Sequence, residues 1–90
     1  VALQMQLEKD SKEGLLPFFV VATIGTTSTT AVDPIDKIGA ICEQFDCWMH
    51  IDAAFMGSQL ICPESREQFP FLNEGLEKSH SFNFNPHKWL

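Results

Sequence analysis

This chain has no tyrosine, few basic residues and only three cysteines. Six Lys and Arg stand against twelve Asp and Glu, a formal charge of -6. That balance argues against a nucleic-acid or anionic-membrane surface, because both attract clustered basic side chains. No apolar stretch approaches the roughly 18 residues of a membrane span, since the run from Leu15 to Ile24 is broken by Pro17 and Thr23. Cys42, Cys47 and Cys62 are odd in number and lack Cys-x-x-Cys spacing, so neither a disulfide framework nor a zinc knuckle is indicated. Reduced thiols in the cytosol are the expectation. His50, His80 and His87 share no ligand spacing with a cysteine on a common element, and no metal site is expected. There is no initiator methionine and no signal peptide, and the chain stops two residues after Lys88, which reads as an internal piece of a longer protein.

What is present has the rhythm of an α/β protein. Ala2 to Glu13 has a helical period, with Gly14 as a left-handed stop. Leu15 to Ile24 is rich in β-branched and aromatic residues and predicts a buried strand with Pro17 at its first position. A polar loop, Gly25-Thr26-Thr27-Ser28-Thr29-Thr30, follows. Asp33 as N-cap and Pro34 at the first helical position open a second helix with an apolar face of Ile35, Ile38, Ile41, Cys42 and Phe45. Cys47 to Ile51 predicts a second buried strand ending at Asp52. Short helices and loop are expected from Ala53 to Leu76, and His80 to Phe84 predicts a third strand. Strand, helix and strand make a parallel crossover unit, in which ligands sit beyond the carboxyl ends of the strands. Two of the strands are apolar on both faces, as in a sheet covered by helices on each side, and 90 residues are too few to provide that cover.

Several side chains converge on that carboxyl rim. Lys88 follows a strand and precedes Trp89-Leu90, a setting where a solvated lysine is less expected. Partial burial there would lower its pKa and yield the unprotonated amine that attacks an aldehyde. Asp52 directly after an apolar strand is compatible with a helix N-cap or with a carboxylate facing a protonated cofactor ring nitrogen. Ala53, Ala54 and Gly57 either admit a flat ring or mark tight packing. The loop hydroxyls, Thr27 among them, suit a phosphate or cofactor oxygen and equally suit a helix cap. His87 can donate to phosphate, assist proton transfer or make a structural hydrogen bond, and Asn85 can bind phosphate or hold the turn before Pro86, whereas His50, inside an apolar strand, reads as a hydrogen-bonded core histidine.

Taken together, Gly14 to Thr27, Trp48-Met49-His50-Ile51-Asp52-Ala53-Ala54, Ile61-Cys62-Pro63-Glu64 and Ser81 to Trp89 resemble the pyridoxal-phosphate-dependent group II decarboxylases, most closely the aromatic-L-amino-acid decarboxylases. The resemblance covers nearly the whole chain. It implies that residues 1–90 belong to the large domain of a fold-type I enzyme, mostly parallel sheet with crossover helices, incomplete at both ends. It implies pyridoxal 5'-phosphate as cofactor, with Lys88 forming the Schiff base, Asp52 pairing with the pyridinium nitrogen and Ala54 packing on the ring. Thr27 contacts the cofactor, and Asn85 and His87 lie at its phosphate. Lys88, Asp52 and His87 are the expected catalytic residues.

The implied reaction is decarboxylation of an aromatic L-amino acid to the amine and CO2 by a cytosolic homodimer, with the isolated piece inactive. Rival readings are another fold-type I activity, such as a different amino-acid decarboxylase or an aldehyde synthase, and a non-catalytic relative. In the family, a mobile-loop tyrosine outside this stretch protonates the substrate carbon. Phe55 and Met56 stand where tyrosine and alanine are usual, Ser65 replaces an aromatic residue, His80 replaces an aspartate, and the stretch from Cys62 to Lys88 is longer. These departures are expected to border the pocket and bear on substrate choice.

Overall fold

The computed structural model describes residues 2–26, 28 and 30–89, residue 89 by its backbone alone. Helix α1, Ala2–Lys12, buries Leu7 and stops as expected, with Gly14 at φ +86° and Leu15 N–H donating to Asp10 O. Strand β1 is Phe19–Thr23, shorter than the apolar run predicts. Leu15 to Phe18 precede it because β2, Trp48–Asp52, takes up its pairing only at Phe19. Strand β3, Ser81–Asn83, lies on the other side of β2, so the order is β1-β2-β3 with both pairings parallel.

Helix α2, Ile35–Phe45, forms the first crossover. Its start differs from expectation: Pro34 occupies the cap position without a side-chain bond, and Asp33 does not cap. The Asp33 carboxylate accepts instead from Thr23 N–H at 2.8 Å, because the free edge of β1 offers an amide that needs a partner. Asp46, left-handed at φ 55°, closes α2 by donating its N–H to Cys42 O and Glu43 O. The second crossover runs through a 3-10 turn, Gly57–Ile61, then α3, Pro63–Gln68, and α4, Phe71–Lys78. A single helical turn, α5, Pro86–Trp89, follows β3.

The core lies on one face of the sheet, where Ala22, Ile24, Met49, Ile51 and Ala53 pack with Ile35 and Cys42 of α2 and Leu72 of α4. Val21 and Trp48, on the opposite face, are 53% and 48% exposed. This chain therefore covers one face of its sheet and leaves the other, which carries Val21 and Trp48, open.

Candidate functional site at the carboxyl edge of the sheet

Parallel pairing aligns the carboxyl ends of all three strands. Thr23 is level with Asp52, and Asp52 with Asn83. Ile24 N–H donates to Asp52 O and Ala53 N–H to Asn83 O, so the ladder is closed up to the residue that carries the carboxylate. There the chain diverges into Gly25-Thr26 after β1, Ala53-Ala54-Phe55 after β2 and Phe84-Asn85 after β3. Thr23, Gly25, Thr26, Asp52, Ala54 and Phe55 enclose a cavity of about 260 Å3 at this edge.

Asp52 is half-buried, and among the described residues one of its oxygens is hydrogen-bonded. Oδ1 accepts from Ala54 N–H at 3.1 Å and from Asn83 Nδ2 at 3.4 Å. Oδ2 has no hydrogen-bond partner among the described residues, which leaves an acceptor for a ligand N–H. Gly25, at φ +73°, lies against Met56, so a Cβ at position 25 would fall on the methionine side chain and adopt a backbone conformation that favours glycine. The loop after β1 is held by Gly25 and Thr26 N–H donating to Ala31 O and by Thr26 Oγ1 accepting from Ala31 N–H. Thr26 thus serves the loop and does not cap α2. Thr27 lies outside the described residues.

Asn85 is anchored to the same edge, its N–H donating to Ala54 O at 3.1 Å. Lys88 N–H donates to Asn85 O at 3.1 Å, which places the lysine one helical turn beyond β3. Lys88 thus follows a strand as expected, by way of a helical turn that the sequence reading did not anticipate. The expected partial burial is not found within this chain, since His87 and Lys88 are both exposed. The strands bring together Asp52, Ala54 and Asn85, with His87 and Lys88 on the adjoining turn. A carboxylate with a free oxygen, a small methyl-bearing wall, an amide, an imidazole and a primary amine are a donor set that fits pyridoxal phosphate, which carries a basic ring nitrogen, a flat ring, a phosphate and an aldehyde.

Two expectations are corrected by the register. His50 is bonded at both ring nitrogens, to Ser81 Oγ at 2.7 Å and Asn83 Oδ1 at 2.8 Å, but it stands half-buried on the open face and not in the core. The signal was its position two residues before Asp52, which sets both side chains on one face of a strand. The same alternation in Ser81-Phe82-Asn83 would have found Asn83, which sequence reasoning missed. His80 does not border the cavity. It lies at the amino end of β3, where its Nδ1 accepts from Met49 N–H at 2.9 Å and its ring stacks on Trp48 at 5.1 Å. Phe55 does line the cavity, and Met56 is buried beneath Gly25.

Known proteins are similar to this chain in sequence and in fold. The chain is 55% identical to aromatic-L-amino-acid decarboxylase of Sus scrofa over 89 residues, 99% of this chain and 18% of that protein. The fold superposes with a TM-score of 0.88 on Catharanthus roseus tryptophan decarboxylase in complex with L-tryptophan, at 46% identity over 98% of this chain and 18% of that one. A TM-score of 0.88 is also found with Rhodiola rosea 4-hydroxyphenylacetaldehyde synthase, at 41% identity and the same coverage. The chain thus spans less than a fifth of the length of these relatives. The family model described as the pyridoxal-dependent decarboxylase conserved domain matches residues 1–90 from end to end, and on that match the chain belongs to the pyridoxal-dependent decarboxylases.

Proposed function

We propose that the protein carrying this chain decarboxylates an aromatic L-amino acid to its amine and CO2, using pyridoxal 5'-phosphate, as a homodimer in the cytosol. The observation that carries this is Asp52, held at Oδ1 and with Oδ2 unpartnered among the described residues, lining a cavity beside the strand that leads to Lys88. When bound, pyridoxal phosphate supplies an aldehyde and an aromatic ring able to hold the electron pair left by the departing carboxylate. Asp52 Oδ2 keeps a proton on the ring nitrogen, which maintains the ring's electron demand. The Ala54 methyl would pack on the ring and Thr27 would contact the cofactor, while the side chains of Asn85 and His87 would receive its phosphate and the Lys88 amine would hold it through its aldehyde.

The aromatic substrate is supported by the similarity to aromatic-L-amino-acid and tryptophan decarboxylases. Similarity to an aldehyde synthase supports a second reading, in which the product is an aldehyde. Borohydride reduction of the full-length protein with bound cofactor should fix the cofactor onto Lys88, read by peptide mass. Labelling of a different lysine overturns the site, and no labelling favours a non-catalytic relative. Lys88→Ala should abolish turnover, and product analysis across several aromatic amino acids separates amine from aldehyde.

A further inference from the structure

The open face of the sheet carries a line of polar side chains that ends at Asp52, the one member of it that the chemistry above uses. Trp48, His50 and Asp52 alternate along β2, and Ser81 and Asn83 alternate along β3 beside them. Four hydrogen bonds join them: Trp48 Nε1 to Ser81 Oγ at 2.9 Å, Ser81 Oγ to His50 Nδ1 at 2.7 Å, His50 Nε2 to Asn83 Oδ1 at 2.8 Å, and Asn83 Nδ2 to Asp52 Oδ1 at 3.4 Å.

Elementary donor and acceptor rules fix the direction of this chain. An ionised Asp52 can only accept, so it must face the NH2 of Asn83, and the amide oxygen is thereby turned to His50. That oxygen accepts only, so His50 Nε2 carries a hydrogen. In the neutral imidazole Nδ1 is then an acceptor, filled by the Ser81 hydroxyl, whose oxygen receives the donor-only indole N–H of Trp48. Each donor meets an acceptor, and all the bonds run toward position 52.

We propose that Asn83 is a positioning residue for Asp52. Held by His50, it fixes the rotation of the carboxylate so that Oδ1 remains with the protein and Oδ2 faces the cofactor's ring nitrogen. Rotation about the terminal torsion of an aspartate is otherwise soft. Ala54 N–H approaches Oδ1 from the continuation of β2 and Asn83 from the neighbouring strand, so the two donors together define the carboxylate plane. The proposal rests on the assignment of Asp52 to the ring nitrogen.

The test uses the full-length protein stripped of cofactor and titrated with pyridoxal 5'-phosphate, alongside kcat and KM for the reloaded enzyme. Asn83→Asp preserves shape but cannot donate to a carboxylate. It should weaken cofactor affinity by about tenfold, the scale of one lost hydrogen bond to a charged group, and lower kcat while KM holds. Because the new carboxylate also repels Asp52, the neutral Asn83→Leu, close in shape and without the donor, is measured beside it; it should show the same loss, and wild-type affinity and kcat in Asn83→Leu overturn the proposal. Should that variant fail to fold, His50→Gln, which retains a donor toward Asn83, should keep near-wild-type affinity where His50→Leu loses it; equal behaviour of those two overturns the proposal. Asp52→Ala is measured in parallel. If it binds and turns over like wild type, the assignment of Asp52 itself fails and the positioning role falls with it. If Asp52→Ala is impaired and Asn83→Leu is not, only the positioning role fails.

Discussion

Asn83 is the register partner of Asp52 on the last rung between β2 and β3, and its Nδ2 lies 3.4 Å from the aspartate's Oδ1. Ladder closure and carboxylate orientation are therefore produced by the same pair of strands. A parallel sheet brings the carboxyl ends of consecutive strands to one edge, and here that edge gathers the acid, the amide and the turn bearing the amine.

The acid can be tested alone. In the full-length protein, Asp52→Ala should still be loaded at high cofactor concentration yet lose about 3 kcal/mol of transition-state stabilisation, a fall of about a hundredfold in kcat. Single-turnover kinetics at saturating cofactor read this directly. Near-normal turnover would remove Asp52 from the electron-withdrawing role.

Much of this was legible in the sequence, for definite reasons. The α2 face and the β1 and β2 runs carry strong periodic or β-branched signals, and Asp52 announces itself by ending an apolar strand. The polar face was not legible, because His50 inside Trp48-Met49-His50-Ile51 looks like a core residue until pairing with Ser81 and Asn83 shows which face is open. The start of α2 was misread since Asp33-Pro34 carries the local signature of a cap. A tertiary partner, Thr23 N–H, takes the carboxylate instead. The helical turn at Pro86 to Trp89 was hidden in a segment too short to show a period.

Packing of α4 on α2 gives a contrast between two glycines. A Cβ at Gly75 would lie 2.7 Å from the backbone carbonyl carbon of Ile35, which cannot yield without moving a helix. A Cβ at Gly39 would lie 2.9 Å from the Cβ and Cδ of Lys78, a side-chain contact that a small shift of Lys78 on α4 relieves more easily than a clash with backbone. Gly75→Ala should destabilise by about 1–3 kcal/mol, as overpacking does. At Gly39 the helix propensity gained, about 1 kcal/mol, should offset most of the cost. Urea denaturation of the two variants should separate them, and equal midpoints would contradict the close approach.

Burial pushes the Cys42 thiol from its ordinary 9.0 up to about 11, with nearby Cys47 adding to the shift. Burial, with Asp46 adding, raises Cys47 as well. A raised folded-state pKa means that the folded chain binds more protons than the unfolded chain between the two values, so stability falls as pH rises there. The contribution of Cys42 should be whole below about pH 9, decline above it and be gone by about pH 11. Cys42→Ala should flatten this alkaline decline in denaturation curves taken across that window. At neutral pH, exposed Cys62 should be alkylated well before buried Cys42 and Cys47.

A clasp closes the base of the loop at the cavity mouth. Asp33 Oδ2 accepts from Thr23 N–H at 2.8 Å while Asp33 N–H donates to Thr23 O at 2.9 Å, joining the two ends of the segment that carries Gly25 and Thr26. Asp33→Ala leaves the Thr23 amide without its acceptor, at a cost of about 1–3 kcal/mol for a fully buried group. Asp33 is half-buried, so water can replace part of the bond and the lower end is expected. Asp33→Asn keeps an acceptor oxygen and should keep most of the stability. Because the clasp is local, hydrogen exchange should quicken in Asp33→Ala at Gly25 and Thr26, whose amides donate to Ala31 O, before it changes at buried Met49 and Ile51 in β2. Unchanged exchange at Gly25 and Thr26 would show that the bridge between Ile24 and Val32 holds the loop without Asp33.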